Sequence, residues 1–188
     1  MSVYYYPVYA VQQTSASENK IIIYSEAGFN GRITEFKKNV LNLEEKGITQ
    51  ISSFQIIGAP WVVYFEKNYT GNQMIFEEGD YPSYDKGRFL SMKIITEDLG
   101  VKPEIQIFED TNYGGKSVTL QHETNLHNIN FGDTASSHKV ISGTWVLYEH
   151  VDRQGKQLLC LPGQEVPNYC EIGFNDVISH VRPLVSKS

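Results

Sequence analysis

Short runs of β-branched and aromatic residues recur along the chain, each bounded by turn-forming residues, and such runs are typical of β-strands. No long stretch follows the 3.6-residue period of an amphipathic helix, and residues 41–47 allow one short helical turn at most. Several short strands in each 40-residue segment predict an all-β fold of the Greek-key or sandwich class. The clearest strand-like runs are residues 21–23, 61–64, 105–108 and 144–147.

A pattern of two aromatic residues and a glycine identifies an internal repeat. Four residues separate the two aromatics, and one residue separates the second aromatic from the glycine. The intervals between successive glycines are 40, 44 and 40 residues, so four motifs are expected. In the fourth motif Arg153 replaces the second aromatic. The pattern residues are Tyr24, Phe29 and Gly31; Tyr64, Tyr69 and Gly71; Phe108, Tyr113 and Gly115; and Tyr148 and Gly155.

The second and fourth motifs resemble each other beyond this pattern, since Trp61 matches Trp145 and Tyr84 matches Tyr169. The repeating unit is therefore a pair of motifs, and two pairs predict two domains. The connection between them contains glycine and proline, as an inter-domain linker should. The expected division is a flexible N-terminal arm at 1–19, domain 1 at 20–97, a linker at 98–103 and domain 2 at 104–185.

The repeat is explained by a folded hairpin. The glycine is expected at a turn with positive φ, which other residues adopt at a cost. The first aromatic should cover the hairpin, and its neighbour should add an aromatic contact worth about 0.5–1.5 kcal/mol. Arg153 is expected to stack its guanidinium on the first ring. The hydroxyls of Tyr84 and Tyr169 are expected to close strand-to-loop corners.

The four ordered motifs, with their late serines and the Trp-x-x-Tyr runs of the even copies, resemble the βγ-crystallin family over residues 20–185. The resemblance implies two βγ-crystallin domains, each of two Greek-key motifs that form a pair of four-stranded sheets. The Tyr- and Ser-rich arm looks most like non-lens members, such as the amphibian epidermis differentiation-specific proteins. In that group an aerolysin-like pore-forming segment follows the two domains. This implies an alternative role as a regulatory or targeting subunit, or N-terminal part, of a pore-forming complex with an aerolysin-like or trefoil-like protein.

Two-domain members of the family pair their domains through apolar residues of the even motifs. The same surface can serve a swapped dimer, so the chain itself is also an expected partner. The alternative is that some of these residues belong to the ordinary domain cores. The matching positions are Val62, Ile75 and Ile95 in domain 1 and Val146, Leu159 and Leu184 in domain 2.

Many non-lens members bind Ca²⁺ through a loop of two acidic or amide residues followed by Ser or Thr, and oxygen ligands suit this hard cation. Domain 1 has lost the acidic positions in both loops, and in the second loop the cationic Lys86 stands where an anion is expected. The resemblance therefore implies Ca²⁺ sites in domain 2 only. They would pair Asp133 with Ser179 and Asp176 with Ser136. The alternative is that these residues only hydrogen-bond their own turns.

Composition narrows the function further. The net charge of −6 argues against nucleic-acid binding, which usually needs a basic surface. No window is apolar enough to span a membrane, and the N-terminus lacks a secretory signal pattern, so a cytoplasmic protein is expected, with unconventional secretion as the alternative. No catalytic motif stands out, which predicts a structural or binding protein rather than an enzyme. Cys160 and Cys170 are expected as free thiols, with a local bridge as the alternative.

Overall fold

The computed structural model describes residues 18–100, 102–174 and 178–185. Fifteen β-strands account for most of its regular structure, and the helices among the described residues are single 3₁₀ turns. The expected all-β class is confirmed. Domain 1 contains β1 Lys20–Glu26, β2 Asn30–Phe36, β3 Ser53–Ile57, β4 Trp61–Tyr64, β5 Gln73–Phe76, β6 Gly79–Tyr81 and β7 Ser91–Ile94. Domain 2 contains β8 Glu104–Phe108, β9 Ser117–Leu120, β10 Thr124–Asn125, β11 Ser137–Ser142, β12 Thr144–His150, β13 Gln154–Cys160, β14 Glu165–Val166 and β15 His180–Leu184.

The strands form three antiparallel sheets in Greek-key order. The outer sheet of domain 1 has the order β2-β1-β3-β6, and that of domain 2 has the order β14-β11-β8-β9. In each, the third strand of the even motif, β6 or β14, joins the strands of the odd motif, so the two motifs of a domain are interlocked. The short 3₁₀ turns are Glu44–Lys46, Lys67–Tyr69, Thr111–Tyr113, Leu126–Ile129 and Tyr169–Ile172.

The inner sheets differ from the expected separate four-stranded sheets, because they meet across the domain boundary. The order β10-β15-β12-β13-β5-β4-β7 makes one seven-stranded sheet, joined by a single residue pair, Gln157 with Gln73. In domain 1 an isolated bridge from Val40 to Met92 takes the place of a fourth inner strand.

Two cores fill the space between the sheets, and both are built from the inward-facing residues of alternating strands. The core of domain 1 centres on Trp61 and Phe54, and that of domain 2 on Trp145 and Tyr169, all fully buried. Within the described residues, no helix is both long and apolar enough to cross a bilayer.

Candidate functional site

The folded hairpins of the first three motifs are pinned in the same way by a serine from the end of the motif. In the first, the Phe29 N–H donates to Ser53 Oγ at 3.0 Å, and that hydroxyl donates to the Glu26 carbonyl at 2.6 Å. Ser91 and Ser137 repeat both bonds in the second and third motifs. The paired rings of these hairpins lie 5.5–5.8 Å apart.

Glycine supplies the turn as expected, since Gly31 has a φ of 79° and Gly155 has the same value. The residue at the second aromatic position also has a left-handed backbone, which the repeat pattern did not indicate. Its φ is 63° at Phe29 and 62° at Arg153. The serine hydroxyl that accepts from the Phe29 N–H is one of the contacts that hold this conformation.

The fourth hairpin is pinned differently. His180 replaces the serine opposite Tyr148, and its Nε2 lies 2.8 Å from Glu123 Oε1. Both oxygens of Glu123 also accept from Arg153, at 2.7 and 2.6 Å. The expected stacking of Arg153 was therefore wrong, because an ion pair with Glu123 holds its guanidinium. The guanidinium that faces the Tyr148 ring belongs to Arg182, 6.0 Å from the ring centroid.

The two corner tyrosines differ in their hydroxyl partners. Tyr169 Oη lies 2.8 Å from Nδ1 of His138, and both side chains are fully buried. Burial lowers the pKa of His138 to about 4, so the ring is neutral at pH 7. In domain 1 Phe54 occupies the place of His138, and Tyr84 Oη has no hydrogen-bond partner. The expected hydroxyl closure was thus wrong for Tyr84; its backbone N–H closes the corner instead, on the Ser52 carbonyl.

The six residues named for domain pairing lie together in a third apolar cluster, separate from the two domain cores. Val62 and Val146 are at most 1% exposed, although both lie on the outward face of the inner sheet. Each domain therefore covers the other's outward face. Burial of this kind stabilises association by about 25 cal/mol per Å² of apolar surface. The six are Val62, Ile75, Ile95, Val146, Leu159 and Leu184.

Polar side chains that the sequence analysis missed border this cluster. The side-chain oxygens of Gln73 and Gln157 accept from the backbone N–H groups of Leu159 and Ile75, at 3.0 and 2.9 Å. Arg182 Nη2 lies 2.6 Å from Glu77 Oε1 across the domain boundary, and Arg182 is only 7% exposed. Partners so distant in sequence have no local signal.

In domain 2, three oxygens converge beside the loop that carries Asp133. Ser179 Oγ lies 2.8 Å from Asp133 Oδ1 and 2.8 Å from the Glu149 carbonyl oxygen. A hydroxyl has one proton, so it can donate to only one of these acceptors at a time. His127 Nε2 approaches the other carboxylate oxygen of Asp133 to 3.6 Å.

The second predicted pair is only partly described. Asp176 lies outside the described residues, so its distance from Ser136 is not part of the structure. The Ser136 N–H donates to the Phe108 carbonyl, and the Ser136 carbonyl accepts from the Tyr169 N–H. The backbone around Ser136 is thus held by strand β8 and by the 3₁₀ turn Tyr169–Ile172.

Domain 1 fills the equivalent region with Arg88. Its Nη1 donates to the carbonyls of Ile48 and Thr49 at 3.2 and 3.4 Å, and its Nη2 donates to Glu44 Oε1 at 2.6 Å. Hydrogen bonds from Lys67 and Arg88 hold the pKa of Glu44 below its usual value. Leu90 is the equivalent of Ser179 in domain 2, because the Leu90 N–H donates to the Tyr64 carbonyl as the Ser179 N–H donates to the Tyr148 carbonyl. This end of domain 1 is therefore held by a cationic side chain.

The cysteines are both free, one buried and one exposed. Cys160 is fully buried, and burial raises the pKa of its thiol, which disfavours the reactive thiolate. In the described residues, no three His, Cys, Asp or Glu side chains come together in a metal-binding arrangement.

Comparison with known proteins agrees with this architecture. The family model for beta/gamma crystallin matches residues 20–95 and 104–184. The epidermal differentiation-specific protein of Cynops pyrrhogaster is 41% identical over 88% of this chain and 50% of its own length, so this chain spans about half of that relative. Beta-crystallin B1 of Sus scrofa is 31% identical over 77% of this chain and 61% of its own. A beta gamma crystallin structure from Ciona intestinalis is 33% identical, covering 43% of this chain and 98% of that one with a TM-score of 0.41.

Proposed function

The chain belongs to the β/γ-crystallin family, and from this premise we propose that it is a non-enzymatic structural and binding protein whose second domain takes up Ca²⁺. The family membership and the buried, fixed state of candidate reactive groups such as Cys160 support the non-enzymatic role. The apolar pairing of the two domains supports a rigid scaffold rather than two independent modules.

One observation carries the Ca²⁺ proposal: the three converging oxygens of Asp133, Ser179 and Glu149. A carboxylate, a hydroxyl and a backbone carbonyl are all ligands that Ca²⁺ prefers. A cation between them would accept electron density from all three oxygens at once, whereas the single hydroxyl proton serves only one contact. Water molecules would complete the coordination shell. With one carboxylate at the site, binding in the weak range of about 0.1–1 mM is expected.

Calorimetric titration of the full chain with CaCl₂ up to millimolar concentration tests the proposal. Asp133→Asn keeps the shape of the side chain but removes its charge, so binding heat should fall. Asp85→Asn is the matched control, because it removes the same charge from a side chain that is 86% exposed in domain 1. Absence of heat in the parent chain, or equal heat in the parent and Asp133→Asn, would contradict the Asp133 site.

A second candidate function is favoured by the match to half of the newt relative. In that protein the two-domain unit is part of a longer chain. We propose as the alternative that the present chain regulates or targets a partner of the aerolysin-like or trefoil-like class. Mixing the purified proteins and measuring co-elution on size exclusion tests this. Separate elution at micromolar concentrations, with or without Ca²⁺, would remove the candidate.

A further inference from the structure

A cleft of about 390 Å³ lies between the two domains, on the side of the hairpin of the second motif. Domain 1 supplies one wall and domain 2 the other. The volume is within the range of small-ligand sites, which is about 300–1,000 Å³. The side chains that matter for binding are Glu66 and Asn72 from domain 1 and Lys156, Leu158, Ile172 and Phe174 from domain 2.

The wall of domain 2 exists because the fourth motif has a longer loop than the second. Tyr84 and Tyr169 are equivalent, since their N–H groups donate to the carbonyls of Ser52 and Ser136, both at 2.9 Å. From Tyr84 to Ser91 is seven residues, whereas from Tyr169 to His180 is eleven. The longer loop includes the 3₁₀ turn Tyr169–Ile172, which lines the cleft.

The two walls have different chemistry. On the domain 2 side, Ile172 is a large apolar side chain that is 45% exposed, next to the buried Phe174. On the domain 1 side, Glu66 Oε2 lies 3.2 Å from Thr70 Oγ1, and among the residues that the structure describes Glu66 Oε1 has no hydrogen-bond partner. Within the described part of the chain, the amide of Asn72 and the ammonium of Lys156 have no hydrogen-bond or ion-pair partner.

The charges of the cleft restrict the ligand. The negative charge of Glu66 and the positive charge of Lys156 cancel, so a ligand with a large net charge would be repelled by one of these two side chains. A hydroxyl group can donate to Glu66 and accept from Lys156 or Asn72, because it serves both roles. A ligand with several hydroxyls on one side and C–H groups on the other would use both walls.

We propose that this cleft binds a neutral, hydroxyl-rich molecule of the size of a mono- or disaccharide. Its hydroxyls contact Glu66, Asn72 and Lys156, and its C–H face packs on Ile172 and Leu158. A ligand held between the walls contacts both domains, so it stabilises their paired arrangement. The site is separate from the three oxygens at Asp133 and does not depend on Ca²⁺.

Saturation-transfer NMR of the full chain with lactose, N,N′-diacetylchitobiose and methyl α-mannoside, each at millimolar concentration and in EDTA, tests the proposal. At least one saccharide should receive transfer, and Lys156→Ala and Asn72→Ala should each weaken its binding about tenfold or more. Lys116→Ala is the matched control. Lys116 occupies the same hairpin position in the third motif, where its N–H donates to Glu109 as the Lys156 N–H donates to Glu149.

Several outcomes would overturn the proposal. The first is no transfer to any saccharide. The second is an unchanged saccharide affinity in Lys156→Ala and Asn72→Ala, with both variants having the melting temperature of the parent chain. The third is saccharide binding that Lys116→Ala weakens as much as Lys156→Ala does, which would indicate an effect of general surface charge. Binding of a short neutral peptide such as Gly-Leu-Gly in place of the saccharides would assign the cleft to another ligand class.

Discussion

The two domains share strand order, hairpins and buried tryptophans, but different chemistry holds the loops at one end of each. In domain 1 the guanidinium of Arg88 bonds two loop carbonyls and Glu44. In domain 2 three oxygens converge near Ser179. A permanent cationic side chain makes the first arrangement self-sufficient, whereas we propose that the oxygens of the second bind Ca²⁺ from solution. One fold can therefore support a domain whose loops are held by its own side chain, here called locked, and a domain whose loops are proposed to bind an ion, here called responsive.

The corner tyrosines Tyr84 and Tyr169 also have neighbours of different chemistry in the two domain cores. Phe54 in domain 1 packs its ring against Tyr84 at 5.4 Å, and His138 in domain 2 lies at the same distance from Tyr169. The packing is alike, but only the imidazole can take up a proton. Differences in polar residues at equivalent positions should thus give the domains different responses to pH, ions and substitution.

The largest expected difference is in acid. The unfolded His138 has an ordinary pKa near 6.5 and the folded one a pKa of about 4, so the unfolded state binds more protons between these values. Domain 2 should therefore lose about 3 kcal/mol of stability as the pH falls from about 6.5 to about 4. Urea unfolding in this pH range measures it. In His138→Phe the loss should disappear, and Phe54→His should transfer it to domain 1; a pH slope unchanged by His138→Phe would contradict the assignment.

Arg88→Met should destabilise domain 1 by about 1–2 kcal/mol, because its loop carbonyls lose a shared donor and Glu44 loses one partner. The unfolding of domain 2 should not change. Lys86→Met is the control, since Lys86 is 65% exposed and its carboxylate contact is 4.0 Å long. Equal effects of the two substitutions would mean that Arg88 does not hold the loops.

The two tryptophans should respond unequally to replacement by phenylalanine. Trp145 Nε1 donates to the Ser142 carbonyl at 3.0 Å, whereas the buried Nε1 of Trp61 has no partner. Trp145→Phe should therefore cost about 1 kcal/mol more than Trp61→Phe. The two variants also leave one tryptophan each, so their fluorescence reports domain 1 and domain 2 separately. A larger cost for Trp61→Phe would argue against this hydrogen-bond difference.

The smallest effect is expected at the fourth hairpin. The hydrogen bonds from Arg153 and, to a smaller extent, from His180 lower the pKa of Glu123 to about 2. The ion pair of Arg153 and Glu123 therefore stabilises the fold above the ordinary carboxyl pKa, and this stabilisation is lost as the pH falls towards 2. Both Arg153 and Glu123 are more than a third exposed, so Glu123→Gln should cost only about 0.5–1 kcal/mol. The cost should shrink in high salt. Ser137→Ala in the third hairpin should show no such salt dependence.

The fold was predictable because its signals are local. Glycines at fixed intervals, with aromatic neighbours, mark each hairpin. The resemblance to the family, counted from the Trp and Gly positions of the even motifs, gave Val62 and Val146 as positions of domain pairing. The contacts of Arg88 and Arg153 were not predictable, because their partners lie 30 to 44 residues away. The joining of the inner sheets through Gln73 and Gln157 also depends on tertiary geometry. The Ca²⁺ sites at Asp133 and Asp176 remain a prediction.

The most direct test is urea unfolding of Trp61→Phe and Trp145→Phe, each followed by its remaining tryptophan, with millimolar Ca²⁺ or with EDTA. The tryptophan of domain 2 should report a higher midpoint in Ca²⁺, because an ion that binds only the folded state stabilises it. The tryptophan of domain 1 should report the same midpoint in both solutions. A shift in domain 1, or no shift in domain 2, would contradict the division into a locked and a responsive domain.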